Sequence, residues 1–359
     1  MGLVIGIPKE HHPFEYRVGM TPAGVSILTA QGHQCYVETG AGVGGGFTDA
    51  EYELAGARIT YSAEEVFRRA DLLLKLQRPT EAEVGWMNPG QTIMAMMMLV
   101  SAHESYLRAL SEKGVTVIAY ELIQEDDGFL PVLYPLSWIG GRMTAQIAAQ
   151  YLQNPQGGKG ILLSGAGGVP PADVVIIGAG VVGTNAADAF LRSGARVILM
   201  DRDLRKLHTA HDRFQGHVTT MVTHDFNLAR VCTFADVLVG AVHIPGQRAP
   251  VIITREMVRS MRPGSLIIDM SIDQGGCVET SRPTRHDQPT FVAEGVIHYC
   301  VPNVPGVVGR TATHAFLNAA WPFITLVAAQ GVEAALAQSS ALRRGLAMRQ
   351  GELLLDLGR

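Results

Sequence analysis

The sequence predicts an α/β protein: two doubly wound parallel sheets with a cleft between them. Three observations carry that prediction. Apolar, β-branched runs alternate with helical stretches from Leu3 onward. One run, Val174–Ile177, opens directly into Gly178-Ala179-Gly180-Val181-Val182-Gly183. The 359 residues are only 17% charged and 47% hydrophobic, against about 25% charged in an average globular chain, so the chain has room for about two domains with large cores.

A formal net charge of -4 leaves no basic footprint for nucleic acid or an anionic membrane, and small molecules are the expected partners. No N-terminal stretch joins a basic start, an apolar core and a cleavage site, and Gly6 stands where a myristoylation signal has Ser or Thr. The longest apolar run, Thr92–Val100, is short of a bilayer span. Cys35, Cys232, Cys277 and Cys300 form no CxxC, so neither a zinc site nor a disulfide framework is expected. The expectation is a cytoplasmic protein without a metal.

Each helix of the first part carries its own start signal. Thr21-Pro22 offers an N-cap and an N1 proline before a helix that Gly32 ends. Thr48-Asp49-Ala50-Glu51, Ser62-Ala63-Glu64-Glu65 and Ser101-Ala102-His103-Glu104 each fit a capping box. Between them, Cys35–Val37, Leu72–Leu76, Ile93–Val100 and Val115–Ala119 read as strands of a parallel sheet with helices on both faces. After Tyr134-Pro135-Leu136-Ser137, Trp138–Leu152 reads as a long helix covered on most sides, and Gln156–Pro171 as a loop rich in Gly and Pro. Val174–Ile177, Val197–Met200, His217–Val222, Asp236–Val242, Ser265–Met270 and His298–Val301 supply a second sheet, and Thr311 onward returns to helical periodicity.

The glycine turn fits a dinucleotide. Gly178 permits the tight turn, Gly180 lets a pyrophosphate approach the backbone, and Gly183 lets the following helix pack closely on the strand. The helix start at Val181 and Val182 then faces the phosphates with free N–H groups. Asp201 ends the next strand, where a carboxylate accepts from both ribose hydroxyls and disfavours a 2′-phosphate. NAD is therefore expected rather than NADP, with Arg202, Arg205 and Lys206 the residues able to accommodate the extra phosphate. The loops Gly240–Gly246, Ser271–Gly276 and Pro302–Gly306 follow three further strands, and a cleft lined by them is the expected active site.

Dispersed motifs resemble the alanine dehydrogenases and the related nucleotide-binding subunits of proton-translocating transhydrogenase. They are Gly6–Glu10, Glu15–Gly19, Glu38–Gly42, Pro155–Gly158, Gly178–Gly183, Ile272–Cys277, Glu279–Thr284 and His298–Cys300. The resemblance to alanine dehydrogenase runs almost end to end. It implies two Rossmann-like domains: a substrate domain over 1–130 with a helical return over 310–359, and an NAD-binding domain over 131–309. It also implies a homo-oligomer, commonly a hexamer, and NAD-linked interconversion of pyruvate and L-alanine. By the same resemblance Arg17 holds the substrate carboxylate, a planar anion that suits a bidentate guanidinium. Asp273 lies near the nicotinamide, and Ser137, Asp201, Lys206 and Asn303 contact the cofactor. A surface ion pair with Glu15 or Glu10 is the alternative for Arg17.

Two positions depart from the resemblance. Lys75-Leu76-Gln77-Arg78-Pro79 stands where the family has Lys-Val-Lys-Glu-Pro, so Gln77 replaces the lysine that contacts the substrate carbonyl. Met98 replaces the histidine of a Leu-His-Leu context, and methionine exchanges no proton. Met94, Met96, Met97 and Met98 otherwise read as adaptable filling of a buried strand. Tyr134, Trp138, His243 and His314 also differ from the family's residues. Alternation puts Lys75 and Gln77 on one strand face, so Lys75, His243 and Tyr134 are the candidates to supply the lost function beside Asp273. The expected activity is NAD-dependent oxidation or reduction of an amino acid, imino acid or 2-oxo acid other than ordinary alanine turnover. The alternative is a catalytically silent NAD-binding protein of regulatory or scaffold type.

Overall fold

The computed structural model describes residues 2–244 and 247–355. They form two compact units, one from the residues up to Leu136 together with those from Pro305 onward, the other from Ser137–Val304. The strands in chain order are β1 (Val4–Ile7), β2 (Gln34–Glu38), β3 (Arg58–Thr60), β4 (Leu72–Gln77), β5 (Thr92–Met96) and β6 (Thr116–Ala119), then β7 (Asp173–Ile177), β8 (Arg196–Asp201), β9 (Thr219–Val222), β10 (Val237–Gly240), β11 (Leu266–Asp269), β12 (Thr290–Ala293) and β13 (Val296–Tyr299), and finally β14 (Leu346–Arg349) and β15 (Glu352–Leu353).

The first unit holds the sheet β15-β14-β6-β5-β4-β1-β2-β3, parallel from β6 to β3. Its middle strands are buried on both faces, which is why Leu72–Leu76 is apolar at every position but Lys75. The expected helical return is only partly helical. The helix Gly309–Gln330 is followed by short helices, but β14 then pairs antiparallel with β6, and β15 antiparallel with β14. Leu346-Ala347-Met348 is too short an apolar run to show a period, and it becomes a strand by pairing with Val117 and Ile118. Gly309–Gln330, with the turn before it, is long and apolar enough to cross a membrane. Its Ala312, Phe316, Ala320, Ile324 and Val327 are buried, with Phe316 edge-on to Tyr120 at 5.0 Å.

Helix starts bear out part of the capping pattern. Thr21 accepts from the Gly24 N–H, and Thr48 and Glu51 form a reciprocal box. Ser62 occupies an N-cap without a side-chain bond, and Glu65, the acid of the expected box, pairs along its helix with Arg69. The box expected at Ser101 is absent: Ser101 ends a 3-10 turn and donates to the Met98 carbonyl, while His103 caps the helix that begins at Glu104. Thr80 and Glu83 form a further box.

The second unit holds the sheet β12-β13-β11-β10-β7-β8-β9, parallel except for β12. Chain order reverses between β7 and β10, the switch point at which such sheets bind ligands. The long helix starts earlier than expected, at Tyr134, and runs to Tyr151. Its early face is not covered, since Tyr134 and Trp138 are both 37% exposed.

Candidate functional site

In the second unit the site is made of main chain. β7 ends at Ile177, and Gly178 takes φ +109°, where a Cβ would lie 2.2 Å from the Ala241 carbonyl oxygen. A Cβ on Gly183 would lie 1.7 Å from the Gly178 oxygen, so helix and strand meet at a distance that only glycine allows. Above Gly180 there is nothing within 4 Å. Gly180 is also the N-cap of the helix Val181–Arg192 and offers no side chain to its first-turn N–H groups. A closed turn under an open helix start, rich in donors, fits a pyrophosphate.

Asp201, at the end of β8, is buried beside that turn. Its Oδ2 accepts from the Ala179 N–H at 2.8 Å and its Oδ1 from the Asp203 N–H at 2.9 Å, while Lys206 Nζ lies 3.9 Å from Oδ2. Asp201 and Lys206 thus stand together, and the carboxylate ties the glycine turn to the neighbouring strand end. His243 lies exposed in the loop after β10, and Pro245 and Gly246 of that loop lie outside the described residues. The protein around the ring and the Lys206 cation both hold the His243 imidazole below its ordinary pKa.

Asp273 and Asn303 come together: the Asn303 N–H, at φ 55°, donates to the Asp273 carboxylate at 3.2 Å. Asp273 sits in the turn Ile272–Gln274, which a buried aspartate braces from below. Asp269 accepts from the N–H groups of Ser271, Cys277 and Val278 at 3.0, 3.0 and 3.3 Å. Burial pushes its carboxyl above the usual range against those bonds. Sequence reasoning passed over Asp269, although an acid ending the apolar run Leu266–Ile268 was the available signal. Ser137 lies half-buried in the helix Tyr134–Tyr151, and Tyr134 packs on Phe129 at 5.2 Å.

In the first unit the site is made of side chains at the carboxyl ends of β1, β4, β5 and β6. Arg17 pairs with Glu15 through Nε at 2.7 Å and Nη2 at 2.5 Å. Both residues are buried, so the ion pair with Glu15 exists but not at the surface. Gln77 Nε2 donates to the same carboxylate at 3.2 Å. Lys75 does not stand free to replace the family lysine. It is fully buried, with Nζ 3.1 Å from Glu10 and 3.0 Å from Glu83. Alternation does not relate it to Gln77 either, because a bulge intervenes: Leu74 pairs with Met94 and Gln77 with Met96.

The charges of this cluster oppose burial to pairing. Burial works to discharge Lys75, but the Glu10 and Glu83 carboxylates outweigh it and raise its pKa. Burial likewise disfavours ionised Glu83, yet Lys75 and the Thr80 N–H hold it below the usual carboxylate range. Glu10 is raised by burial against the pull of Lys75, with Glu15 adding to the rise. Met98 is half-buried in the left-handed conformation, φ 44° and ψ 45°, after β5. Glu121 fixes it there, accepting from the Met97 and Met98 N–H groups at 3.0 and 2.6 Å. Glu10, Glu83 and Glu121 were not singled out as site residues, although Thr80-x-x-Glu83 carries a readable capping pattern. His314 packs edge-on to Phe47 at 5.5 Å. Among the described residues no group of His, Cys, Asp or Glu side chains is placed to hold a metal.

Two family descriptions match this chain: "Alanine dehydrogenase/PNT, N-terminal domain" over residues 6–140 and "Alanine dehydrogenase/PNT, C-terminal domain" over 144–356. The chain belongs to the alanine dehydrogenase/PNT family. It is 44% identical to an alanine dehydrogenase of Halomonas elongata, over 97% of this chain and 94% of that protein. It is 45% identical to that of Methanococcus maripaludis, over 99% and 95%. Among solved structures, an L-alanine dehydrogenase superposes with a TM-score of 0.91 at 40% identity, covering 98% of this chain and 97% of that one. A transhydrogenase from Sinorhizobium meliloti superposes at 0.81 with 26% identity, covering 98% and 100%. The alanine dehydrogenase/PNT fold accounts for both sheets, and the two Rossmann-like units are those of the family.

Proposed function

We propose that this chain is an NAD-dependent oxidoreductase of an amino acid, imino acid or 2-oxo acid. Arg17 clamps a carboxylate, and Asp273 with Asn303 stands at the nicotinamide end. The carrying observation is Arg17 itself: a buried guanidinium held in plane by a two-point pair with Glu15 is pre-oriented for a second planar anion. NAD, when bound, supplies hydride transfer. The chain's own residues hold it, with the open turn at Gly180 for the pyrophosphate and Asp201 for the ribose. At positions 77 and 98 the side chains are an amide and a thioether. Neither is a cation to polarise a carbonyl, and Met98 moves no proton. An already formed imine needs less carbonyl activation, so those residues suit it better than the ordinary alanine reaction.

NADH consumption with a panel of 2-oxo acids and ammonium or primary amines tests this reading. Turnover with another acid or amine and little with pyruvate is the expected result, and efficient turnover of pyruvate with ammonium overturns the altered-substrate reading. Arg17→Ala is expected to abolish turnover while NADH still binds, with Arg17→Lys as the folded control; unchanged turnover overturns the clamp. The same amide and thioether also favour a silent NAD-binding protein, which NADH binding with no turnover across the panel would support.

A further inference from the structure

Arg78 follows Gln77 at the end of β4, and among the described residues its guanidinium makes no hydrogen bond and no ion pair. Its Nη1 is buried without a partner. The side chain lies on the ring of Tyr106, with Cζ 5.6 Å from the ring centroid. Tyr106 is 5% exposed, and its own hydroxyl is likewise buried without a partner. Buried donors are nearly always paired, and one left unpaired is costly, more so when charged. Two such atoms on touching side chains mark a place built for something else to complete.

The neighbours locate it. Gln77 turns to Glu15, whereas Arg78 turns to Tyr106 in the first turn of the helix Glu104–Glu112, and the Arg78 carbonyl is tied to the His12 ring at 3.0 Å. Burial drives the Glu121 carboxyl upward, and the Arg78 charge is near enough to oppose it. Glu121 is the group that fixes the Met98 backbone. Gln77 pairs with Met96, two residues before Met98, and bonds the carboxylate that pairs with Arg17, so Arg78 follows a strand end shared with both. Arg17 is matched by Glu15, and Lys75 by Glu10 and Glu83, but among the described residues no carboxylate lies within ion-pair distance of Arg78. The family resemblance has an acid at this position, so the local charge is reversed.

We propose that Arg78 and Tyr106 form a subsite for a second anionic group on the substrate, a carboxylate borne on its side chain. The substrate class is then a dicarboxylic 2-oxo acid with its amino- or imino-acid counterpart. This rests on the reading of the chain as an oxidoreductase of carboxylates, and it narrows that reading. With the first carboxylate at Arg17 as proposed above, a pyruvate-sized acid has no second anion to reach Arg78, whereas a dicarboxylate has one. The Tyr106 ring holds the guanidinium by a cation–π contact and takes none of its N–H groups, which leaves them to meet a carboxylate.

Calorimetric titration of the NADH-saturated protein with oxaloacetate, 2-oxoglutarate and pyruvate, without ammonium, tests the subsite. At least one dicarboxylate is expected to bind tenfold or more tighter than pyruvate. That affinity ratio is expected to fall at least tenfold in Arg78→Ala and to recover in part in Arg78→Lys. Arg78→Gln carries the same comparison if the alanine variant does not fold. Neither dicarboxylate exceeding pyruvate, or a ratio unchanged by removal of the guanidinium, overturns the proposal. NADH fluorescence on titration tests the cofactor separately. If NADH does not bind, the oxidoreductase reading falls, and the acid titrations on the protein alone still decide the subsite.

Discussion

At Gly178–Gly183 the second unit shapes its ligand site from main chain, whereas at the end of β4 the first unit uses side chains drawn from Glu10, Glu15, Arg17, Lys75, Gln77, Glu83 and Glu121. The main-chain site presents peptide N–H groups, which every residue has, and excludes a Cβ at Gly178 and Gly183. The side-chain site divides its labour. Glu10, Lys75 and Glu83 hold the strand end and its following turn together, while Gln77 and Met98 are the positions whose chemistry differs from the family resemblance. A site of the first kind keeps its ligand class as long as its glycines stay. One of the second kind can change its reaction and keep its scaffold, because the groups that bind and the groups that brace are different residues.

The largest expected effect removes the brace. Lys75→Met leaves Glu10 and Glu83 buried without their cation and is expected to cost ~3–5 kcal/mol, read as a lowered midpoint of denaturation at neutral pH. The pH dependence gives a second reading. In the native protein Glu83 lies below its ordinary value of 4.5 because Lys75 and the Thr80 N–H outweigh its burial. Its contribution is therefore complete above pH 4.5 and is lost as acid carries the pH through the lower folded value. Without Lys75 burial raises both carboxyls, the sign reverses, and the deficit of the variant shrinks toward acid. A variant equal to the parent at neutral pH would mean that the cluster braces nothing.

Gly183→Ala tests the other side of the comparison. Its Cβ meets main-chain oxygen, which cannot swing aside as a flexible side chain can, so the helix must move off β7. NADH affinity is expected to fall by at least a hundredfold, about 2.7 kcal/mol. Binding of carboxylic acids to the free protein is expected to change much less. Equal losses of both would show that the two sites do not stand on separate foundations.

The same contrast explains what could be read before the structure. Strand, glycine turn, helix and Asp201 are contiguous, so their spacing alone placed the turn, and Thr21 and Thr48 announced their helices through local capping patterns. The strand β14 was illegible because Leu346–Met348 is three residues whose state is set by a partner, β6, far away in the chain. Lys75 was misjudged for a related reason. Alternation predicts a face only while the pleat is regular, and the bulge between Leu74 and Gln77 interrupts it. Its partners Glu10 and Glu83 are distant in sequence or disguised as a cap. Nothing in the motif Lys75–Pro79 announces the contact of Arg78 with Tyr106, which is distant in sequence.

The smallest expected effect separates a brace from its cap. Glu83 does two things: one oxygen meets Lys75 Nζ at 3.0 Å, and the other accepts the Thr80 N–H at 2.6 Å. Thr80→Ala removes the hydroxyl that receives the Glu83 N–H but keeps the Thr80 position's own N–H, so the ion pair with Lys75 survives. The expected loss is that of an N-cap, about 1 kcal/mol by denaturation, without the reversed acid dependence of Lys75→Met. A loss as large as that of the lysine variant would mean that the Thr80 hydroxyl sets the position of Glu83. Cap and buried cluster would then be one cooperative structure, and the division between binding and bracing residues at the end of β4 would have to be redrawn.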